Sequence, residues 1–129
     1  MQWPSYFPDD CPRKEAEPKQ IKVYRLVDHD PPTEKDFVPP KKRKPHEEFR
    51  DDCLASGLSC HTSYEEIKQL KEKTPYFRRK KIAVGFTHPN FGVVLHTPGN
   101  SGESHHTYWV YDGASPHVLF KVVREGEEK

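Results

Sequence analysis

The chain has 129 residues, which suits one domain at the usual size of about 100–150 residues. Apolar residues make up 33% and charged residues 32%, against ~45–50% and ~25% in typical globular domains, so the core is small and a protein partner or an oligomer is expected to support it. The net charge of +1 excludes no function class by itself, because the basic residues are clustered.

An N-terminus carrying Pro4, Pro8, Asp9 and Asp10 does not look like a signal peptide. No apolar run approaches the ~18–20 residues of a bilayer-spanning helix, so no membrane partner is expected. Cys11, Cys53 and Cys60 are an odd set without regular spacing. Free buried thiols and a cytoplasmic location follow as expectations.

Nine of the thirteen prolines lie in residues 1–45. Proline donates no backbone hydrogen bond and drives its predecessor to extended geometry. Residues 1–50 therefore read as a loop-rich, proline-rich arm with a single strand at Ile21–Val27. Pro39 to Pro45 encloses a basic stretch, Lys41 to Lys44, that its prolines should hold open.

Gly57–His61 suits a short strand. Ser63 followed three residues later by Glu66 forms a capping box, Tyr64, Ile67 and Leu70 give a helical stripe, and Thr74-Pro75 stops it. A helix over 64–73 is predicted. Strands follow at 81–86, 91–96, 106–111 and 117–123, and Glu125 to Lys129 read as an acidic, solvated tail. The predicted fold is α+β: a mostly antiparallel sheet of about five strands with one short covering helix and a proline-rich arm, the compact part spanning 51–123 within one domain of 1–129.

Ser104 to Tyr111 carries the most chemistry. His96 ends the strand before the Pro98–Glu103 loop and His105 begins the strand after it, so a hairpin should bring their rings together. Strand alternation gives His105, Thr107, Trp109 and Tyr111 one face. His96 and His105 are candidates for acid and base, with Thr107 as a hydroxyl partner. Trp109 and Tyr111 could stack a base or sugar ring, although such residues are as often core. Arg78, Arg79, Lys80 and Lys81 form a basic turn beside Tyr76 and Phe77, a pattern suited to phosphates or single-stranded nucleic acid. No metal site is expected, since the cysteines lack zinc spacing.

Two resemblances rest on short stretches. His105-x-Thr107 and His61-x-Ser63 resemble the paired signature of two-histidine phosphoesterases, whose histidines and hydroxyls hold a phosphate. Arg25 on the first strand, followed by Ser59 and Thr62-Ser63 at the second, looks like the Arg, then Ser-Thr-Ser, order of ADP-ribosyltransferases. That resemblance implies that Arg25 orients the NAD phosphates and that a serine of the Ser59, Thr62-Ser63 set supports the nicotinamide ribose. It also implies a catalytic glutamate on a late strand, where this chain offers only Glu125 and Glu127.

Two functions follow. The first is a small cytosolic module that binds an anionic partner, nucleic acid or an acidic protein surface, through the basic turn and the aromatic, His-bearing hairpin. The alternative is an enzyme: a compact His-dependent one acting on a nucleotide or RNA phosphate, or an ADP-ribosyltransferase-like toxin or defence effector using NAD. No motif fixes a cofactor.

Overall fold

The structure is a computed structural model and describes residues 1–124 and 126. The first strand, β1 (Lys22–Val27), is followed by a 3-10 turn at Glu34–Asp36 and two single-turn helices, α1 (Pro40–Arg43) and α2 (Asp52–Ala55). Then come β2 (Leu58–His61), α3 (Tyr64–Lys73), β3 (Lys81–Phe86), β4 (Gly92–His96), β5 (His105–Val110) and β6 (Phe120–Val122). Among the described residues these six strands form one antiparallel sheet in the order β4-β5-β2-β1-β3-β6. The α+β class holds, with six strands in place of about five.

Local differences have clear causes. Pro40 opens α1 at the first helical position, where a missing N–H costs nothing, so the basic stretch is one helical turn and not an open segment. Pro116 locks a 3-10 turn over Pro116–Leu119, which shortens β6 to three residues. At α3 the Ser63 hydroxyl accepts from the Glu66 amide at 3.2 Å. Glu66 does not return the contact; its carboxylate accepts from the amides of Glu103 and Ser104, at 3.0 and 2.8 Å, and pins the loop before β5. In the acidic tail, Glu125 and 127–129 lie outside the described residues.

Both faces of the sheet are covered. Val23, Val27, Cys60, Val94, Tyr108 and Phe120 form the larger cluster with Phe37. On the other face Tyr24 and Val84 meet Ile67 of α3. The arm wraps on the sheet: Glu17 pairs with Val94 beside the edge strand β4, and Trp3 stacks on Tyr111 at 4.4 Å. A disulfide joins Cys11 to Cys53, and Arg13 pairs with Asp51 beside it. The free-thiol expectation is thereby corrected for two of the three cysteines, and the inference from cysteine count to a reducing compartment loses its basis; Cys60 is a buried thiol. Among the described residues no helix is long and apolar enough to cross a membrane.

Candidate functional site

The sheet splits between β1 and β2. These strands share one register pair, Tyr24 with His61, whereas β1 pairs with β3 from Lys22 to Val27. Where β2 leaves β1, a cleft of about 350 Å³ opens, lined by Arg25, Ser59, His61 and Ile67 among others. That volume is at the lower end of small-molecule sites, ~300–1,000 Å³.

Arg25 bridges the split. Its Nη1 donates to the Ser59 carbonyl at 2.6 Å, and its Nε and Nη2 donate to the Asp36 carbonyl at 3.2 and 3.0 Å. Burial pushes the guanidinium down to about 10, so it stays charged at neutral pH. The Asp36 carboxylate is occupied elsewhere. Burial works against its charge, but the Thr33 and Asp28 amides and the His29 ring hold it below the usual carboxylate range. Among the described residues Arg25 has no carboxylate in salt-bridge contact, and both of its hydrogen-bond acceptors are neutral carbonyls. A charge so placed invites an anion.

Ser59 lines the same cleft and is exposed. Behind it, Nδ1 of His105 lies 2.9 Å from the Thr97 carbonyl. A carbonyl only accepts, so Nδ1 carries the proton and Nε2 is a free acceptor. The Ser59 hydroxyl, 3.0 Å away, donates to it. Serine, histidine and an orienting carbonyl are thus in line, the arrangement that activates a hydroxyl or a water beside it. Burial lowers the His105 pKa below 6.5, with His61 adding to the effect and the Thr97 contact opposing it, so the ring is neutral at pH 7.

His61 is buried at 2% exposure, and its ring meets that of His105 at 5.3 Å. Its Nε2 donates to the Ser101 carbonyl at 3.0 Å, which leaves Nδ1 a buried acceptor without a partner among the described residues. The two histidines of the phosphoesterase-like pattern therefore do meet. Their hydroxyls are used for structure: Ser63 caps α3, and Thr107, buried, lies 2.7 Å from Thr97 Oγ1.

His96 and His105 do not meet. The ladder pairs His96 with His106, so His96 stacks on His106 at 4.9 Å, on the face opposite His105. The common histidine site expected from the hairpin is corrected to two separate pairs, His61 with His105 and His96 with His106. Trp109 is fully buried, its Nε1 donating to the Cys53 carbonyl at 2.7 Å. Tyr111 is half-buried against Trp3. In the basic turn, Lys80 pairs with Asp28 at 2.9 Å and Lys81 reaches the Asp28 carbonyl at 3.4 Å. Arg78 Nε donates to the Glu72 carbonyl, and Arg79 is exposed. Cys60 is no nucleophile, since burial pushes its thiol up to about 12.

Arg25 and Ser59 both line the cleft, but from opposite faces of the sheet by register: the Arg25 guanidinium meets the Ser59 main-chain carbonyl, whereas the Ser59 hydroxyl meets His105, which lies outside the lining. Nothing in the spacing of the sequence joined Ser59 to His105, whose contact depends on the β2–β5 register. The unpartnered nitrogen of His61 and the clamp by Glu66 also had no sequence signal. Comparison with known proteins adds no relative: no family model, no curated protein and no solved structure matches the chain.

Proposed function

We propose that the cleft between β1 and β2 binds the diphosphate of NAD and that the chain is an ADP-ribosyltransferase-like enzyme that breaks the bond between nicotinamide and its ribose. The observation that carries this reading is the Arg25 guanidinium, charged, lining the cleft, hydrogen-bonded to the Ser59 and Asp36 carbonyls and packed over the Phe37 ring, with Ser59 in the same lining. Arg25 is the residue that the sequence resemblance assigned to the NAD phosphates, and Ser59 is one of the hydroxyl residues of its second motif. The glutamate of that resemblance has no counterpart on β5. His105 stands there instead, its Nε2 accepting from the Ser59 hydroxyl.

The chemistry needs little more. Arg25 neutralises the diphosphate and fixes the dinucleotide. A water held at Ser59 attacks C1′ of the nicotinamide ribose; the new C–O bond forms as the C1′–N bond breaks. The bonding electron pair leaves with neutral nicotinamide, and the proton of the water passes to Ser59 Oγ as the Ser59 proton passes to His105 Nε2 and then to solvent. In transfer, a nucleophile on a target molecule replaces water.

The binding-module reading has less support. Its basic turn exists, but Trp109 is sealed in the core and Tyr111 is spent against Trp3.

The test is nicotinamide release from NAD. Wild type should release it, and Ser59→Ala and His105→Gln should slow release by at least ~100-fold with unchanged melting temperature. A wild-type protein that neither binds nor cleaves NAD, but binds single-stranded RNA with steep salt dependence through Arg78 and Arg79, would overturn the proposal in favour of the module.

A further inference from the structure

We infer that Tyr76 is the base platform of this cleft, the surface on which the adenine ring of the dinucleotide stacks. The inference rests on the NAD reading above and adds the orientation of the ligand. The lining of the cleft is mixed: it includes the polar side chains of Arg25, Ser59 and His61, and at Tyr76 and Phe77 aromatic rings flanked by the Lys80–Asp28 pair. A dinucleotide is mixed in the same way, with a charged diphosphate and a flat apolar base.

Tyr76 sits in the 3-10 turn Pro75–Phe77 that follows α3. Its ring is 79% exposed, and of the large exposed hydrophobic residues (Met1, Tyr76, Phe86 and Val118) it alone lines the cleft. The ring is nevertheless held: Phe77 lies at 5.5 Å between centroids, and Lys80, anchored by Asp28, is 5.6 Å from the ring centroid. An exposed, braced aromatic plate next to a cation is how a base is stacked without reading its sequence. Phosphates at Arg25 and adenine at Tyr76 leave the nicotinamide ribose to Ser59.

Titration calorimetry with NAD, ADP-ribose and nicotinamide mononucleotide separates the possibilities, because the last lacks adenine. Tyr76→Ala should weaken NAD and ADP-ribose by ~10-fold and leave the mononucleotide unchanged, and Tyr76→Trp should restore the loss. The position is exposed, and an unchanged melting temperature separates lost binding from a folding defect. If Tyr76→Ala binds NAD as tightly as wild type, or loses the mononucleotide equally, the platform is overturned while the NAD site stands. If wild type binds none of the three, the NAD reading itself fails and takes the platform with it.

Discussion

Ser59 Oγ lies 3.0 Å from His105 Nε2, although the two residues are not opposite each other in the ladder. Ser59 pairs with Thr107 and His105 with His61, so the contact is a diagonal one between β2 and β5. Diagonal neighbours on one sheet face lie ~7–8 Å apart at the backbone, within reach of an imidazole and a short hydroxyl side chain. The contact is therefore a product of register, and Thr97 completes it by fixing the ring from the other side.

This geometry sets a pH profile for NAD cleavage. His105 must be neutral to take a proton, and burial keeps its pKa below 6.5. The value of kcat/KM for nicotinamide release should be level from pH 7 upward. Below the histidine pKa it should fall by about tenfold per pH unit. His105→Gln should abolish that acid limb along with most of the activity. A wild-type profile that rises as the pH falls would mean that a protonated group does the work.

Stability should follow the same direction. Burial is the leading cause of lowered pKa at His61, His105 and His106. A histidine whose folded pKa lies below its unfolded 6.5 binds fewer protons when folded. Its contribution is present above pH 6.5 and is lost as the pH falls through the folded value. The urea midpoint should be constant from pH 8 to 7 and decline below 6.5. In His61→Gln the amide nitrogen can still serve the Ser101 carbonyl, so that variant should show a shallower decline.

What the residues reveal on their own depends on how local the cause is. The α3 helix was legible because Ser63, the Tyr64–Ile67–Leu70 stripe and Pro75 all act within a few residues. The β runs were legible for the same reason. The hairpin was not, because its function depends on phase. Thr97 N–H bonds the His105 carbonyl while His96 pairs with His106, and a shift of one residue exchanges the faces of every side chain. The Arg25 and Ser59 placement was legible only through a resemblance of residue order. The split of β1 from β2, which makes a cleft of it, is a property of six strands together.

Trp109 separates core from site. Its indole N–H serves the Cys53 carbonyl, and its ring is fully buried. Trp109→Phe leaves that carbonyl without its donor and removes ring volume, at a cost of about 2–4 kcal/mol. Urea denaturation should show the loss, while NAD affinity per folded molecule stays unchanged. A matching loss of affinity in a fully folded sample would mean that Trp109 shapes the cleft.

Gly57 tests the register directly. A Cβ there would clash with Thr107 Cγ2 and press on the Trp109 ring at 3.2 Å. Those atoms belong to the strand that carries His105. Gly57→Ala should cost about 1–3 kcal/mol. In the fraction that folds, it should also slow nicotinamide release, because the Ser59–His105 contact spans the same two strands. Stability loss with unchanged turnover would show that β5 absorbs the clash without moving His105.

The Cys11–Cys53 bond decides whether the arm is a strut or a wrapping. It closes a loop with a sequence separation of 42, which the chain-entropy account values at about 4 kcal/mol. Small domains have only ~5–15 kcal/mol in all, so that is a large share. The arm has other anchors: Glu17 exchanges backbone hydrogen bonds with Val94 at 3.0 and 2.9 Å, and Trp3 stacks on Tyr111. With those in place, reduction should lower the urea midpoint without unfolding the sheet. The double variant Cys11→Ser/Cys53→Ser should match the reduced wild type and no longer respond to dithiothreitol. Since Cys53 also accepts from Trp109, the variant should leave the indole environment intact if the strand behind it is held by the core. In a Trp3→Phe background, where Trp109 is the sole indole, a red shift of tryptophan fluorescence would show that the arm holds it instead.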